Sequence, residues 1–247
     1  MGALRLRWMC YNARGCKQEL RMRFGWALGL SLVLALPSAM AGKKVRTFLT
    51  LGAGWNSFGD FYLKDVDNDG VDEDIHMRFK GAPITDLVFG AIRSNGFGFS
   101  AQHVFSNASY NYKKSTTPDA TFALTGSKQF MNLNAAFGNI FYVVPARGAK
   151  PFLGAGYGIG YTKLRFATVG AETDNAHVDD TSTTSLVQFF GGFRSAITRN
   201  WFWEIKVSRR SSEPSWEVKY GNNGVNSIKL KVKESANVAG LTMGYLF

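Results

Sequence analysis

From about residue 45 to the last residue, apolar positions alternate with small or polar ones at a period of two, and no helical period runs through this stretch. Alternation of that kind marks extended strands with one apolar face. The first strand runs from Val45 to about Trp55, with Val45, Thr47, Leu49, Leu51, Ala53 and Trp55 on one face and Gly52 and Gly54 on the other. Leu87 to Arg93 and Phe97 to Asn107 flank the turn Ser94-Asn95-Gly96, with Phe97, Phe99, Ala101 and Phe105 opposed to Ser100, Gln102 and Ser106. Ile75 to Phe79 also alternates, and either extends the second strand or forms a hairpin beyond it. The fourth strand, Phe130 to Val144, is expected to turn Met131, Leu133, Ala135, Phe137, Phe141 and Val143 outward and Asn132, Asn134 and Gly138 inward. Pro145-Ala146-Arg147-Gly148 turns the chain into Pro151 to about Phe166, where Leu153, Ala155, Tyr157, Ile159 and Tyr161 oppose Gly154, Gly156, Gly158 and Gly160.

Three more strands complete the set. Ser185 to Ile197 carries Val187, Phe189 and Phe193 outward, and Thr198-Arg199-Asn200 turns it. Trp201 to Arg209 carries Trp201, Trp203, Ile205 and Val207 outward against Glu204 and Lys206, and Ser235 to Phe247 ends the chain through Ala239, Leu241, Met243, Tyr245 and Phe247. The segments are expected to supply the roughly 9–11 tilted residues that cross a bilayer, with Leu87 to Arg93 the shortest and open to extension. Short turns alternate with long polar connections, as they do in membrane barrels. The expected fold is all-β: an eight-stranded antiparallel up-and-down transmembrane β-barrel. A soluble sandwich or lipocalin-like barrel would bury its bulky parity and present polar side chains outside. Here the other parity is mostly Gly, Ser, Thr and Asn with a few charges, too small to coat an exterior, so the bulky parity is assigned to lipid. Trp55, Tyr142, Tyr161, Trp201 and Tyr245 fall near strand ends, where amphipathic rings anchor at the two interfaces.

Residues 1–41 change the picture of compartment. Arg21-Met22-Arg23 precedes an apolar run, Trp26 to Leu36, and Pro37-Ser38-Ala39-Met40-Ala41 has the small-x-small cleavage pattern, so 1–41 is expected to be an export signal cut after Ala41. Met22 would begin an ordinary signal by itself, and is the expected true start. The whole chain carries a net charge of +11; Arg5, Arg7, Arg14, Lys17, Arg21 and Arg23 against Glu19 account for five of it, leaving +6 on 42–247. Both cysteines, Cys10 and Cys16, also lie in the signal region. The remaining Lys residues cluster in expected loops and no recognition module is visible, which argues against nucleic acid as a partner.

The stretches Thr50-Leu51-Gly52-Ala53-Gly54-Trp55 and Pro151 to Tyr161, with the terminal aromatic Phe247, resemble the small outer-membrane β-barrel family that includes the OmpA transmembrane domain and the OmpX-like and OmpW-like proteins. The resemblance covers most of 42–247. It implies a cell outer membrane location, and a terminal Phe recognised by the outer-membrane assembly machinery. It is uninformative about function, because family members include structural tethers, adhesins and minor channels.

One local motif carries ligand chemistry. In Asp65-Val66-Asp67-Asn68-Asp69-Gly70-Val71-Asp72-Glu73, alternate carboxylates followed by Gly resemble a calcium loop, with Asp65, Asp67, Asp69, the Val71 carbonyl and Glu73 as candidate ligands for Ca2+ in the first external loop. His76 stands at the twelfth position in place of the bidentate Glu, so the loop departs from an EF-hand, and no cofactor is required. The stretch His103-Val104-Phe105-Ser106-Asn107-Ala108 faintly resembles the His-x-Ser-Asn-Ala motif of lipid A deacylases, but His103 and Ser106 fall on opposite parities, which separates base from nucleophile. His177, beside Asp179 and Asp180, reads as loop surface. The expectation is a non-enzymatic barrel with an envelope-stability or surface-interaction role. Its external loops (56–74, 111–128, 167–184 and 210–234) would meet ions, outer-membrane lipids and lipopolysaccharide, or a host or surface ligand. Lys219, Lys229, Lys231 and Lys233 in the last loop suit anionic headgroups. The alternative is a small channel for ions or small solutes, and a lipid A-modifying enzyme stands behind it. Inward Arg194, Glu204, Lys206 and Gln102 would pair across the lumen and plug it.

Overall fold

The computed structural model describes residues 45–59, 61–63, 75–79, 81–113, 123–124, 130–169, 177–220 and 226–247. Eight long strands form the barrel: β1 (Val45–Phe58), β4 (Ala82–Arg93), β5 (Phe97–Lys113), β7 (Phe130–Val143), β8 (Lys150–Val169), β9 (His177–Ala196), β10 (Trp201–Ser212) and β13 (Glu234–Leu246). Each pairs antiparallel with its neighbour in sequence. Pairing of β13 with β1 closes the ring, so no edge is left open.

Shorter strands prolong the wall at one end: β2 (Phe61–Leu63), β3 (Ile75–Phe79), β6 (Ala123–Leu124), β11 (Ser215–Tyr220) and β12 (Asn226–Lys231). β3 pairs with both β2 and the far end of β5, so it is at once a hairpin arm and an extension of the second barrel strand. β11 and β12 form a hairpin between β10 and β13. The expected loops 167–184 and 210–234 are therefore largely strand, a correction with a simple cause. In 210–234 the alternation is present: Trp216, Val218 and Tyr220 alternate with Glu217 and Lys219, and Ile228 and Leu230 with Lys229 and Lys231, in segments of six residues that are too short to cross a bilayer and so read as loop.

The opposite end is built from tight turns. Gly96, at φ +91°, donates its N–H to Arg93 O at 2.9 Å, a left-handed conformation that favours glycine. Thr198 Oγ1 accepts from the N–H groups of Asn200 and Trp201 at 3.3 and 3.1 Å. Both chain ends of the barrel are tied here: Phe247 N donates to Thr47 O at 2.9 Å, and Asn200 Nδ2 to Leu246 O at 2.7 Å.

Side-chain direction follows the expected parity in β1, β5, β8, β9, β10 and β13. Leu51, Leu153, Tyr157, Phe189, Leu241 and Met243 all point outward and stay more than half exposed. An exterior this apolar exceeds what a soluble monomer shows. At the tight-turn end the Trp201, Tyr245 and Phe247 rings meet edge to face, with centroids 5.1 Å apart in each pair.

β7 is the exception. Met131, Leu133, Ala135, Phe137, Phe141 and Val143 point inward and are buried, while Asn134, Ala136, Gly138, Ile140 and Tyr142 point outward. The reason lies next door. β8 presents a row of glycines to the lumen, and a Cβ on Gly158 would strike Phe137, just as one on Gly156 would strike Asn139. The pattern recurs around the barrel: Phe48 lies over Gly90, Phe141 over Gly98, Phe190 over Gly154 and Phe202 over Gly244. Each inward ring lies over the bare backbone of an adjacent strand. This lets a narrow eight-stranded lumen hold aromatic side chains.

A polar belt in the lumen as the candidate functional site

The interior is stacked in layers. Toward the tight turns, Phe48, Val88, Phe141, Val143, Phe152 and Phe202 form an apolar cluster, with Ile92, Phe190 and Leu246 packed against it. Arg194 is set into this layer, its guanidinium 5.0 Å from the Phe48 ring centre and 4.4 Å from that of Phe202. Glu204 on the next strand accepts from its Nε at 2.6 Å. The aromatic faces and the carboxylate together compensate a cation taken out of water.

Toward the other end, Ile84, Val104, Leu133, Ala135, Phe137, Leu186 and Val238 make a second apolar cluster. Between the two runs a polar belt. The Lys206 ammonium on β10 forms an ion pair with Asp86 on β4, two strands beyond its neighbour β13, and so reaches across the lumen. Gln102 Nε2 donates to the same Asp86 oxygen at 2.9 Å. Gln102 Oε1 in turn accepts from Gln188 Nε2 at 2.8 Å and Asn139 Nδ2 at 3.3 Å. Arg210 Nε donates to Gln188 Oε1 at 3.3 Å and stacks on Phe137 at 5.6 Å. Gly52 makes the belt fit, since a Cβ there would collide with Asp86.

Polar side chains from β4, β5, β7, β9 and β10 thus bridge the barrel, and the cavity bordered by Phe48, Gln102, Gln188 and Lys206 measures about 30 Å3. That is room for about one water molecule. The expected inward residues Arg194, Glu204, Lys206 and Gln102 are all here. Asp86, Asn139, Gln188 and Arg210 complete the belt and were not anticipated. Gln188 could have been found, because it shares the inward parity of its strand, whereas Asp86 falls one residue before the expected strand start at Leu87. Asn139 was lost with the inverted parity of β7, and Arg210 by ending its strand at Arg209.

The other candidates separate. Ser106 is buried inside, where its Oγ donates to Pro83 O at 3.1 Å, while His103 lies on the outer face with a ring nitrogen 2.8 Å from Asn134 Oδ1. That arrangement cannot act as a nucleophile–base pair. Asp179 meets Lys163 at 2.8 Å, and Asp180 accepts from Thr181 N and Glu217 N at 2.7 and 2.9 Å, so both are tied into the wall and the hairpin. Among the described residues no cluster of His, Cys, Asp or Glu could hold a metal ion. The candidate calcium ligands Asp65, Asp67, Asp69, Val71 and Glu73 lie outside the described residues.

The rim carries a contact between residues far apart in the sequence. Trp216, on the β11–β12 hairpin, is 1% exposed and donates Nε1–H to Thr162 O at 2.9 Å. Ser215 N donates to Ser182 Oγ at 2.8 Å, and Lys231 pairs with Glu213 at 3.1 Å. Lys219, Lys229, Lys231 and Lys233 remain exposed.

No protein-family model matches this chain, and no curated protein matches it either. Solved structures do. Outer membrane protein OprG from Pseudomonas aeruginosa is 14% identical and covers 83% of this chain and 98% of its own, with a TM-score of 0.51. Neisserial surface protein A is 12% identical, covering 81% and 98% at a TM-score of 0.44. Ail of Yersinia pestis, solved with the heparin analogue sucrose octasulfate, is 10% identical, covering 81% and 99% at 0.41. At such identities the likeness shows a fold. The chain is built as a small antiparallel barrel of the kind found among outer-membrane proteins.

Proposed function

We propose that this chain is a non-enzymatic integral barrel of the outer membrane, with its tight turns periplasmic and its functional surface at the external rim. The observation that carries the reading is the polar belt of Asp86, Gln102, Asn139, Gln188, Lys206 and Arg210 between two apolar layers. In this reading the bridging side chains obstruct the lumen, so the barrel works as a scaffold rather than a conduit. The apolar exterior supplies the membrane fit, and the long strands with the β11–β12 hairpin raise the wall beyond it. In this reading residues 1–41 are the removed export signal and Phe247 helps the assembly machinery recognise the chain. The exposed lysines of the hairpin favour lipopolysaccharide or another anionic surface ligand. The acidic segment with Asp65, Asp67 and Asp69 would add a weak calcium site to the first external loop. Protease protection of that loop by calcium, lost in an Asp67→Ala, Asp69→Ala variant, is the check on it.

Planar-bilayer recording of the refolded protein tests the central point. We expect no steady conductance from the parent, and intermittent conductance once the belt is opened by a Lys206→Ala, Gln102→Ala variant. Steady ion-selective current through the parent would replace the scaffold with the small-channel alternative. Unchanged lipid A masses in cells expressing the protein are expected alongside, and a lost acyl chain would reveal an enzyme.

A further inference from the structure

The outer wall of the barrel is not uniformly bulky. Along one ladder row the outward residues run Trp55 on β1, Ala239 on β13, Val207 on β10 and Gly191 on β9. The row above places Arg209 between Asn237 and Phe189. A large ring at each side with small residues between them leaves a groove of about 580 Å3, with Trp55, Phe189, Val207, Ala239 and Arg209 among its lining residues. Trp55 and Phe189 are 56% and 65% exposed, and the Trp55 indole is braced against Gly81.

Arg209 sets the chemistry. It is exposed on the outward face, and no carboxylate is paired with it among the described residues, whereas the inward charges Asp86, Arg194, Glu204 and Lys206 all are. From Trp201 at the tight turns, β10 rises to Arg209 by roughly 20 Å, at ~3.3 Å per residue and ~40° of tilt. That height is near the outer margin of a ~25 Å apolar belt, where an arginine lays its stem on the wall and its head at the headgroup level. A guanidinium there, above an apolar trough, matches a molecule with a phosphate at the interface and an acyl chain below it.

We propose that this groove is a specific site for a phosphate-bearing acylated lipid of the external leaflet, its chain lying between Trp55 and Phe189 and its phosphate held by Arg209 with Asn237 beside it. The inference rests on the outer-membrane reading and adds to it a defined site on the wall, separate from the rim. It predicts one tightly retained lipid per barrel in place of a diffuse annulus.

The test uses the 42–247 barrel refolded in maltoside micelles, with diphosphorylated lipid A as the probe and native mass spectrometry as the readout. The parent is expected to retain one lipid A. Arg209→Gln should lower retention at least tenfold, and phosphatase-treated lipid A should bind the parent as weakly. Ala239→Phe should fill the trough and abolish retention, while Arg199→Gln, at the tight turns, should leave it unchanged. Equal retention by the parent, Arg209→Gln and Ala239→Phe would overturn the site, as would a dimer that dissociates only in Ala239→Phe, since a second copy would then be the occupant. Failure of the parent to insert into liposomes as a heat-modifiable band would instead overturn the membrane reading beneath it.

Discussion

β7 and β8 are adjacent, paired along fourteen residues, and built on opposite plans. β8 turns Leu153, Tyr157 and Ile159 outward and shows the lumen Gly154, Gly156, Gly158 and Gly160. β7 turns Leu133, Phe137 and Phe141 inward and shows the exterior Ala136 and Gly138. One strand supplies the bulk that the other leaves room for. In an eight-stranded barrel, then, inside and outside are not told apart by hydrophobicity, because both are apolar at most heights. They are told apart by which neighbour yields space.

The sharpest way to break this comparison is to exchange the roles of two glycines. Gly158 faces the lumen, where an added Cβ would meet the Ala136 carbonyl and lie 2.7 Å from Phe137 Cδ1. A leucine must push backbone aside, so Gly158→Leu should cost more than the ~1–3 kcal/mol of an ordinary overpacked core and leave little folded barrel. Gly138, on the outer face of β7, has nothing within 4 Å of its Cβ position. Gly138→Leu should fold normally and adds apolar surface toward lipid. Refolding yields read from heat-modifiable migration decide between them. Comparable losses from both would show that β7 does not carry its bulk inward.

The contrast also explains how far the sequence could be read. Alternation, taken with the expected export segment and the terminal aromatic strand, placed the barrel class, the strand number and the direction of six strands. In those strands most of the bulk lies on the outward parity, even though Phe48, Val104, Leu186, Phe190 and Phe202 point inward. In β7 both parities carry bulk: Leu133, Phe137 and Phe141 on one, Ile140 and Tyr142 on the other. Counting residues favours the wrong face, and only the glycine row of β8, brought alongside by the register, corrects it. Asn139 went unnoticed for that reason. The rim hairpin was legible in part, since Trp216, Val218 and Tyr220 alternate with Glu217 and Lys219. The partner of Trp216, Thr162 O, lies 54 positions away, and no local pattern encodes that contact.

The next largest effect tests what fills the level where neither strand supplies bulk. At the belt the space is spanned by charge, and Asp86 and Lys206 keep only about a tenth of their side-chain surface exposed. Asp86→Ala would leave the ammonium buried without its partner, and removal of one member of such a pair costs about 3–5 kcal/mol. Asp86→Leu with Lys206→Met should recover most of that loss, because two apolar side chains close the gap without a stranded charge. Urea unfolding from lipid vesicles measures both. A double variant as unstable as the single one would mean that the belt holds the barrel together through more than this pair.

Higher on β8, Trp216 from the hairpin is buried and donates to Thr162 O, a tie that comes from beyond the neighbouring strand. Trp216→Phe keeps most of the ring but removes the bond to Thr162 O, and the net value of such a bond is about 0.5–1.5 kcal/mol. The expected result is faster proteolysis between β11 and β12 with the barrel itself intact. Proteolysis at the parent's rate would show that the ring, rather than its N–H, seats the hairpin.

The smallest effect concerns the outer face of β7, where the inverted parity turns Asn134 outward beside His103. From Tyr142 near the tight turns to Asn134 the strand climbs roughly 20 Å at ~3.3 Å per residue and ~40° of tilt, which brings the pair close to the outer margin of the apolar belt. Asn134→Leu removes one partner of the 2.8 Å contact and should destabilise by about 0.5–1.5 kcal/mol, the net value of one such bond, because lipid offers nothing in exchange for the lost amide. His103→Leu with Asn134→Leu removes both, and replacing both members of a hydrogen-bonded pair by apolar groups is close to neutral. If lipid covers this part of β7, the double variant is therefore more stable than the single one, and the difference appears in urea unfolding from vesicles. If water covers it, Asn134→Leu costs nothing measurable, because solvent takes over the lost bond, and the upper limit of the lipid contact on this wall moves below His103.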